Sequence, residues 1–424
     1  MINKRFQRLG AAYMFAHHAV PAMRPSATMI TGPTGVGKTC LCTMAASAVG
    51  LSPLVLDWND PIVRSRFRKG LLPFRDIERS FEAQPSAIVV RDLLHYPKWK
   101  HVLLELLRRF GADRRFVLTG ALKRTPSEPL DVSTRLRLTH FELMPLSLRE
   151  VEGTAVAACF LGEAGHSKRL AVLRESLLSG VSKEAKQALA LLIRHGPFPE
   201  PLCEAEDAFS ALWHEGYAGR VIQDEIGRSS RIRDLEALEE TYGAVSRRVG
   251  RTLSEAAVGR QVGASHVSVK SWLEWLERAY LLFSVPPWSN GVGRGLKKGK
   301  KWYLFDWLSI NAPAAKIQNM VALALYRTCK VLNDLCLGNY ALYYVKTIDQ
   351  RGLDFLVVRD GRPVLAVDLA GDVLKPTRVF RNRSSWLGDP PPPGILVLPQ
   401  IDGLEQHDSL TWSVGLGRFL RLLL

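Results

Sequence analysis

Residues 32–39 read Gly32-Pro33-Thr34-Gly35-Val36-Gly37-Lys38-Thr39. The pattern G-x-x-x-x-G-K-[ST] suits one kind of chemistry, the holding of a polyphosphate. Glycines let the backbone curl so that successive N–H groups point at phosphate oxygens. Lys38 can reach the β- and γ-phosphates, and the Thr39 hydroxyl can ligate Mg²⁺. Cys40 follows as the next residue of the binding run. ATP and Mg²⁺ are therefore the expected cofactors, with residues 32–40 as their cradle.

Such a cradle works only between a strand and a helix. Residues 26–31, SATMIT, are a short β-type run, and residues 40–49 have helical character. A carboxylate at the end of a neighbouring strand must then hold Mg²⁺ through water. Three later runs are strand candidates: LVLD (54–57), AIVVRD (87–92) and FVLTG (116–120). The second runs four apolar residues almost into Asp92, the expected metal and catalytic carboxylate, with Asp57 the next candidate. The third ends near Thr119, placed to sense a γ-phosphate or position water. Strands alternating with helices at this spacing predict an α/β fold, a parallel sheet with helices on both faces.

The whole chain has 424 residues, 47% hydrophobic and 23% charged, which excludes a disordered or collagen-like chain. No uncharged apolar run reaches the roughly 18 residues of a membrane helix, so no membrane partner is expected. The N-terminal apolar stretch is short and broken by His17 and His18, unlike a secretory signal. Six cysteines lack any C-x-x-C spacing, which fits a reducing cytoplasm and disfavours structural zinc. The net charge is +16, concentrated in residues 1–150 and 245–301, while 201–240 is acidic. Clustered cations suggest a polyanion partner, most often nucleic acid.

Residues 235–280 read as three helices, 235–249, 254–262 and 266–280, with Gly263-Ala264-Ser265 as the turn between the last two. Val269, Trp272, Leu273, Leu276 and Tyr280 fall at helical spacing and form a buried stripe. The N-terminal part of the last helix then offers His266, Ser268 and Lys270 to base edges, as in helix–turn–helix readers. Two strand-like runs follow, 281–285 and 302–305. Between them lie Arg294, Lys297, Lys298, Lys300 and Lys301 with no acid. A basic hairpin after a helix–turn–helix is a winged-helix arrangement, its lysines suited to phosphate contact. DNA is the expected nucleic-acid partner. The alternative is a spacer or protein-contact module.

Seven segments occur in order: GPTGVGKT (32–39), AIVVRDLLHYPKW (87–99), FVLTGAL (116–122), FELMPLSLREVEG (141–153), HGPFPEP (195–201), KKWYLFDWLS (300–309) and LDFLVVRDGRPVLAVDL (353–369). This series resembles a prokaryotic group of AAA-type P-loop ATPases. The resemblance implies an ATPase domain over residues 1–150, a helical lid over 151–243, a winged helix over 244–305 and a restriction-endonuclease-like domain over 306–424. It also implies a further option, a homo-oligomer formed through the ATPase domain. The family's Asp-Glu pair falls on Arg91-Asp92 counted from Pro97, or on Asp92-Leu93 counted by the apolar run. Either register leaves one carboxylate where the family has two, so slow hydrolysis is expected. The family's arginine near the γ-phosphate falls on Arg137, with Arg135 two residues earlier. In the last domain, Asp354 and Asp368 match the two acids of a nuclease metal site. Its lysine position is Ala370 and its helical acid falls near Gln318, with Lys375 too distant in sequence to stand in. The fold without the chemistry is therefore expected there. A non-hydrolysing, ATP-gated regulatory or interaction module is the second reading of the chain, and an ATP-dependent nuclease the third.

Overall fold

The computed structural model describes residues 27–48, 52–68, 86–96, 98–110, 115–123, 138–154, 159–288, 299–346, 352–370, 375–376, 380, 383, 387–388, 390–400 and 402–424. Its first sheet has five parallel strands: β1 (Ala27–Thr31), β2 (Ser52–Asp57), β3 (Ser86–Arg91), β4 (Arg115–Gly120) and β5 (Leu138–Glu142). Their order across the sheet is β2-β3-β4-β1-β5. Inserting β4 between β3 and β1 sets the carboxyl ends of β1, β4 and β3 side by side. Open α/β sheets bind ligands at that edge. The central strands are apolar because both faces are covered, and Met29, Ile88, Val89, Val90 and Leu118 are fully buried.

Helices from 160 to 229 follow, among them Lys183–His195, Pro199–Glu204 and Asp207–Val221. The last runs into a π turn, Ile222–Ile226. Three more helices come next: Leu235–Ser246, Glu255–Val262 and His266–Arg278. Ser254 and Ser265 cap the second and third through their side chains. The expected stripe is buried, Val269, Trp272, Leu273, Leu276 and Tyr280 all lying in the core. Tyr280 falls beyond the helix end, in left-handed backbone with φ 56°. Strands β6 (Leu282–Val285) and β7 (Lys301–Leu304) pair antiparallel.

After the long helix Pro313–Asp334 comes a six-stranded mixed sheet. Its strands are β8 (Tyr340–Lys346), β9 (Gly352–Arg359), β10 (Arg362–Leu369), β11 (Gly394–Leu398), β12 (Leu404–Asp408) and β13 (Thr411–Gly415). The proline run before β11 is gripped by buried Arg383, whose Nε donates to the Pro392 carbonyl at 2.7 Å. The final helix, Leu416–Arg421, folds back onto the middle of the chain. There Arg421 Nε meets Glu152 at 3.2 Å, and Arg149 donates to the Arg421 carbonyl. One apolar core runs from Ile30 through Leu189 and Val269 to Val414 and Leu424. Among the described residues no helix is long and apolar enough to cross a membrane.

Candidate nucleotide site

The loop between β1 and the helix Lys38–Ala48 lines a cleft of about 480 Å³. Two glycines show why the loop needs them. A Cβ on Gly32 would lie 2.2 Å from the Leu143 carbonyl oxygen. Gly35 has φ +78°, and a Cβ there would come within 3.3 Å of the Trp213 ring.

Lys38 is buried, and its Nζ donates to the Gly32 and Pro33 carbonyls at 2.8 Å each. Burial pushes its pKa down to about 8, against the opposing pull of Asp92 and Glu225. A cation held this way, with its charge unbalanced by its own loop, is fitted to an incoming anion. Thr39, Cys40, Asp92 and Thr119 line the same cleft. A hydroxyl and a carboxylate beside that cation are a suitable donor set for Mg²⁺ carried with a triphosphate.

Asp92 lies one residue beyond β3, in left-handed backbone at φ 54°. Its N–H extends the ladder to the Thr119 carbonyl at 2.9 Å, and its Oδ2 accepts from Asn59 at 3.0 Å. Burial and Glu225 raise its pKa, while Lys38 lowers it. Arg91 closes β3 and pairs with Asp57 at 3.1 Å. Asp57 is therefore engaged by a cation, and Asp92 is the strand-end carboxylate that lines the cleft. Arg135 and Arg137 lie outside the described residues.

Sequence reasoning missed the opposite wall, where Pro199, Glu200, Cys203, Glu204 and Glu225 line the cleft, and the aromatic cluster that packs on the loop. The HGPFPEP segment places Phe198 against Trp213 and Tyr217, which stack at 4.8 Å. The Tyr217 hydroxyl donates to the Thr34 carbonyl at 3.0 Å, and Trp213 Nε1 donates to Glu200 at 2.9 Å. Glu225, in the π turn, accepts from the Thr34 hydroxyl at 3.1 Å and pairs with His95 Nε2 at 2.9 Å. His95 Nδ1 meets Ser229 at 2.7 Å. Burial disfavours both charges. Even so, Glu225 is held below its ordinary range by His95, and His95 above its own by Glu225.

Thr31, just ahead of the loop, is bonded to the buried Tyr280 hydroxyl at 2.7 Å. Lys123, three residues past β4, donates its backbone N–H to the Arg278 carbonyl at 2.8 Å. Its ammonium sits over the Tyr280 ring, 4.9 Å from the centroid. The C-terminal end of the helix His266–Arg278 is thus tied to the carboxyl ends of β1 and β4, beside the cleft. Its other end is open, with His266 and Lys270 exposed and Ser268 half-buried.

Of the basic hairpin, Arg294, Lys297 and Lys298 lie outside the described residues, and Lys300 is exposed. Lys301 is a correction to the expected phosphate contacts. It opens β7 facing the C-terminal sheet, where it pairs with Asp354 at 3.4 Å and lies over Tyr344. Its side chain is only 16% exposed, so its charge is already committed.

Asp354 also accepts from Gln318 at 3.0 Å, and its N–H meets Asp368 at 3.2 Å. Burial and Asp354 push Asp368 up to about 8. Between the ordinary carboxylate value and that pH the folded chain holds a proton the unfolded chain has lost. Stability from this group therefore falls as pH rises through that window. Asp368→Asn should stabilise the protein at pH 9 by on the order of 1–2 kcal/mol, and by little at pH 4. Calorimetric scans at the two pH values check this; equal shifts would remove the assignment.

Residues 24–152 match the family model described as AAA domain. Residues 186–312 match a Domain of unknown function (DUF8612). The chain is similar to two curated proteins, Uncharacterized protein Rv2008c of Mycobacterium tuberculosis and Uncharacterized protein Mb2031c of Mycobacterium bovis. Each is 20% identical over 348 residues, 80% of this chain and 69% of that protein. Among solved structures, the RuvB Holliday junction branch migration motor of Thermotoga maritima matches at 15% identity. That match covers 66% of this chain and 90% of that one, with a TM-score of 0.32. AMPPCP-bound DnaA from Aquifex aeolicus matches at 15% identity over 65% of this chain and 90% of that one, TM-score 0.29. Over residues 24–152 the chain has the fold of an AAA-type P-loop domain.

Proposed function

We propose that the protein binds Mg·ATP in this cleft, hydrolyses it slowly, and couples its nucleotide state to DNA binding. The observation that carries the reading is the buried Lys38, facing Asp92 where the carboxyl ends of β1, β3 and β4 meet. Lys38 would exchange its two loop carbonyls for phosphate oxygens. Thr39 and Asp92 would hold Mg²⁺, which when bound screens the phosphate charge. Thr119 would sense the terminal phosphate. Residues 1–150 act as the ATPase domain, 151–243 as the lid, 244–305 as a winged helix and 306–424 as a nuclease-like domain without nuclease chemistry. Gln318 and Lys301, both on Asp354, support that last reading.

DNA would meet His266, Ser268 and Lys270 through base edges, and Arg294, Lys297, Lys298 and Lys300 through phosphates. Replacing those four hairpin cations with Ser should weaken duplex binding. It should also lower the slope of log affinity against log salt by roughly 0.9 per lost contact. Fluorescence anisotropy over a salt series, with phosphate release measured with and without duplex, tests the proposal. An unaltered slope, or release indifferent to DNA, would defeat the DNA half. One observation favours a non-hydrolysing ATP-gated module instead: Arg91 stands beside Asp92 where a second carboxylate would serve.

A further inference from the structure

We infer that Glu225, reaching over from the lid, is the carboxylate that takes the proton of the attacking water, the role left vacant on β3. The inference rests on the ATPase reading above and deepens it.

Four observations converge on this residue. Glu225 sits in the π turn Ile222–Ile226, where the helix Asp207–Val221 would otherwise continue with regular spacing. One extra residue per turn rotates the side chains that follow, and such turns recur at functional sites. The rotation brings the carboxylate to the cleft, where it is buried at 8% exposure among Lys38, Asp92 and Thr119. Its Oε1 is anchored on Thr34, inside the loop that wraps the phosphates. Its Oε2 lies against His95, itself held by Ser229, so the group is fixed from two sides. A base must be unprotonated and positioned before the reaction begins. Both conditions are met here by contacts from three separate parts of the chain.

The step balances as follows. The water oxygen bonds to the γ-phosphorus while one water proton passes to the Glu225 carboxylate. The bond from γ-phosphorus to the bridging oxygen breaks, and its electron pair stays on ADP. Inorganic phosphate leaves, and Glu225 gives its proton to solvent. A carboxylate on the lid makes this chemistry depend on lid closure, which the β3 carboxylate alone would not.

Glu225→Gln in the full chain is the test, because Gln keeps the length and can still accept from Thr34. Calorimetric ATP affinity should be equal or tighter, since a negative charge beside the phosphates is gone. Single-turnover phosphate release should fall by about 10²- to 10⁴-fold, and intact ATP should be recovered with the protein after gel filtration. Glu225→Asp should keep an intermediate rate. Thermal unfolding of each variant reports folding separately. Release within about threefold of wild type, with ATP bound, would overturn the inference. So would loss of ATP binding by a folded Glu225→Gln, which would make the residue a lid anchor. If wild type and Lys38→Ala bind ATP equally weakly, the ATPase reading itself fails and this inference falls with it.

Discussion

Lys38→Ala is expected to lose about 2–5 kcal/mol of ATP binding, roughly 30- to several thousand-fold. The loss is large because Lys38 is buried with its ammonium turned onto the carbonyls of its own loop. Binding exchanges those neutral acceptors for charged ones, and removing the cation leaves phosphates facing Asp92 and Glu225 alone. A second readout is independent of affinity. With a pKa near 8 in the free protein, Lys38 is only part protonated at that pH. Phosphate raises it, so ATP binding at pH 8 should take up a fraction of a proton. Calorimetric enthalpy should then vary with the ionisation enthalpy of the buffer. Lys38→Met should abolish that variation. Unchanged affinity and unchanged buffer dependence would together remove the cleft from consideration.

Asp92→Asn should lower turnover by about 10²- to 10⁴-fold, and it should also remove the Mg²⁺ dependence of ATP affinity. The substitution is a clean one. Asp92 has φ 54°, a conformation that Asn tolerates well, and Asn keeps an acceptor for Asn59. What changes is charge, in a group that already holds its proton more readily than usual because it is buried near Glu225. Titrating Mg²⁺ against a fluorescent ATP analogue separates two roles. Loss of metal dependence marks Asp92 as the metal ligand. Retained metal dependence with lost turnover places it in the water's path, where Glu225 would compete for the same role. Turnover as fast as wild type would move the metal carboxylate off β3.

The P-loop was legible because its chemistry is local: eight consecutive residues carry cradle, cation and hydroxyl. The placement of Asp92 at the cleft was legible for a similar reason, as an acid one residue past an apolar run. The buried stripe from Val269 to Leu276 followed from helical periodicity, while Tyr280 is buried from beyond the helix end. Glu225 was not legible, because its position depends on a π turn and on His95, 130 positions away in sequence. Nor was the buried aromatic cluster of Phe198, Trp213 and Tyr217, which packs on the loop. Lys301 misled because a basic run looks solvated in sequence, whereas its partners, Asp354 and Tyr344, lie more than 40 positions away in the C-terminal sheet.

The Thr31–Tyr280 bond sets a pivot. At 1.5 Å per residue, the helix from Arg278 back to His266 is about 20 Å long. A tilt of about 5° at the pivot therefore displaces the His266 end by roughly 2 Å. That is a large fraction of a hydrogen-bond length, enough to make or break a contact at that end. The arrangement is mechanical gain: a shift too small to disturb the sheet beside the cleft would become a whole contact at the far tip.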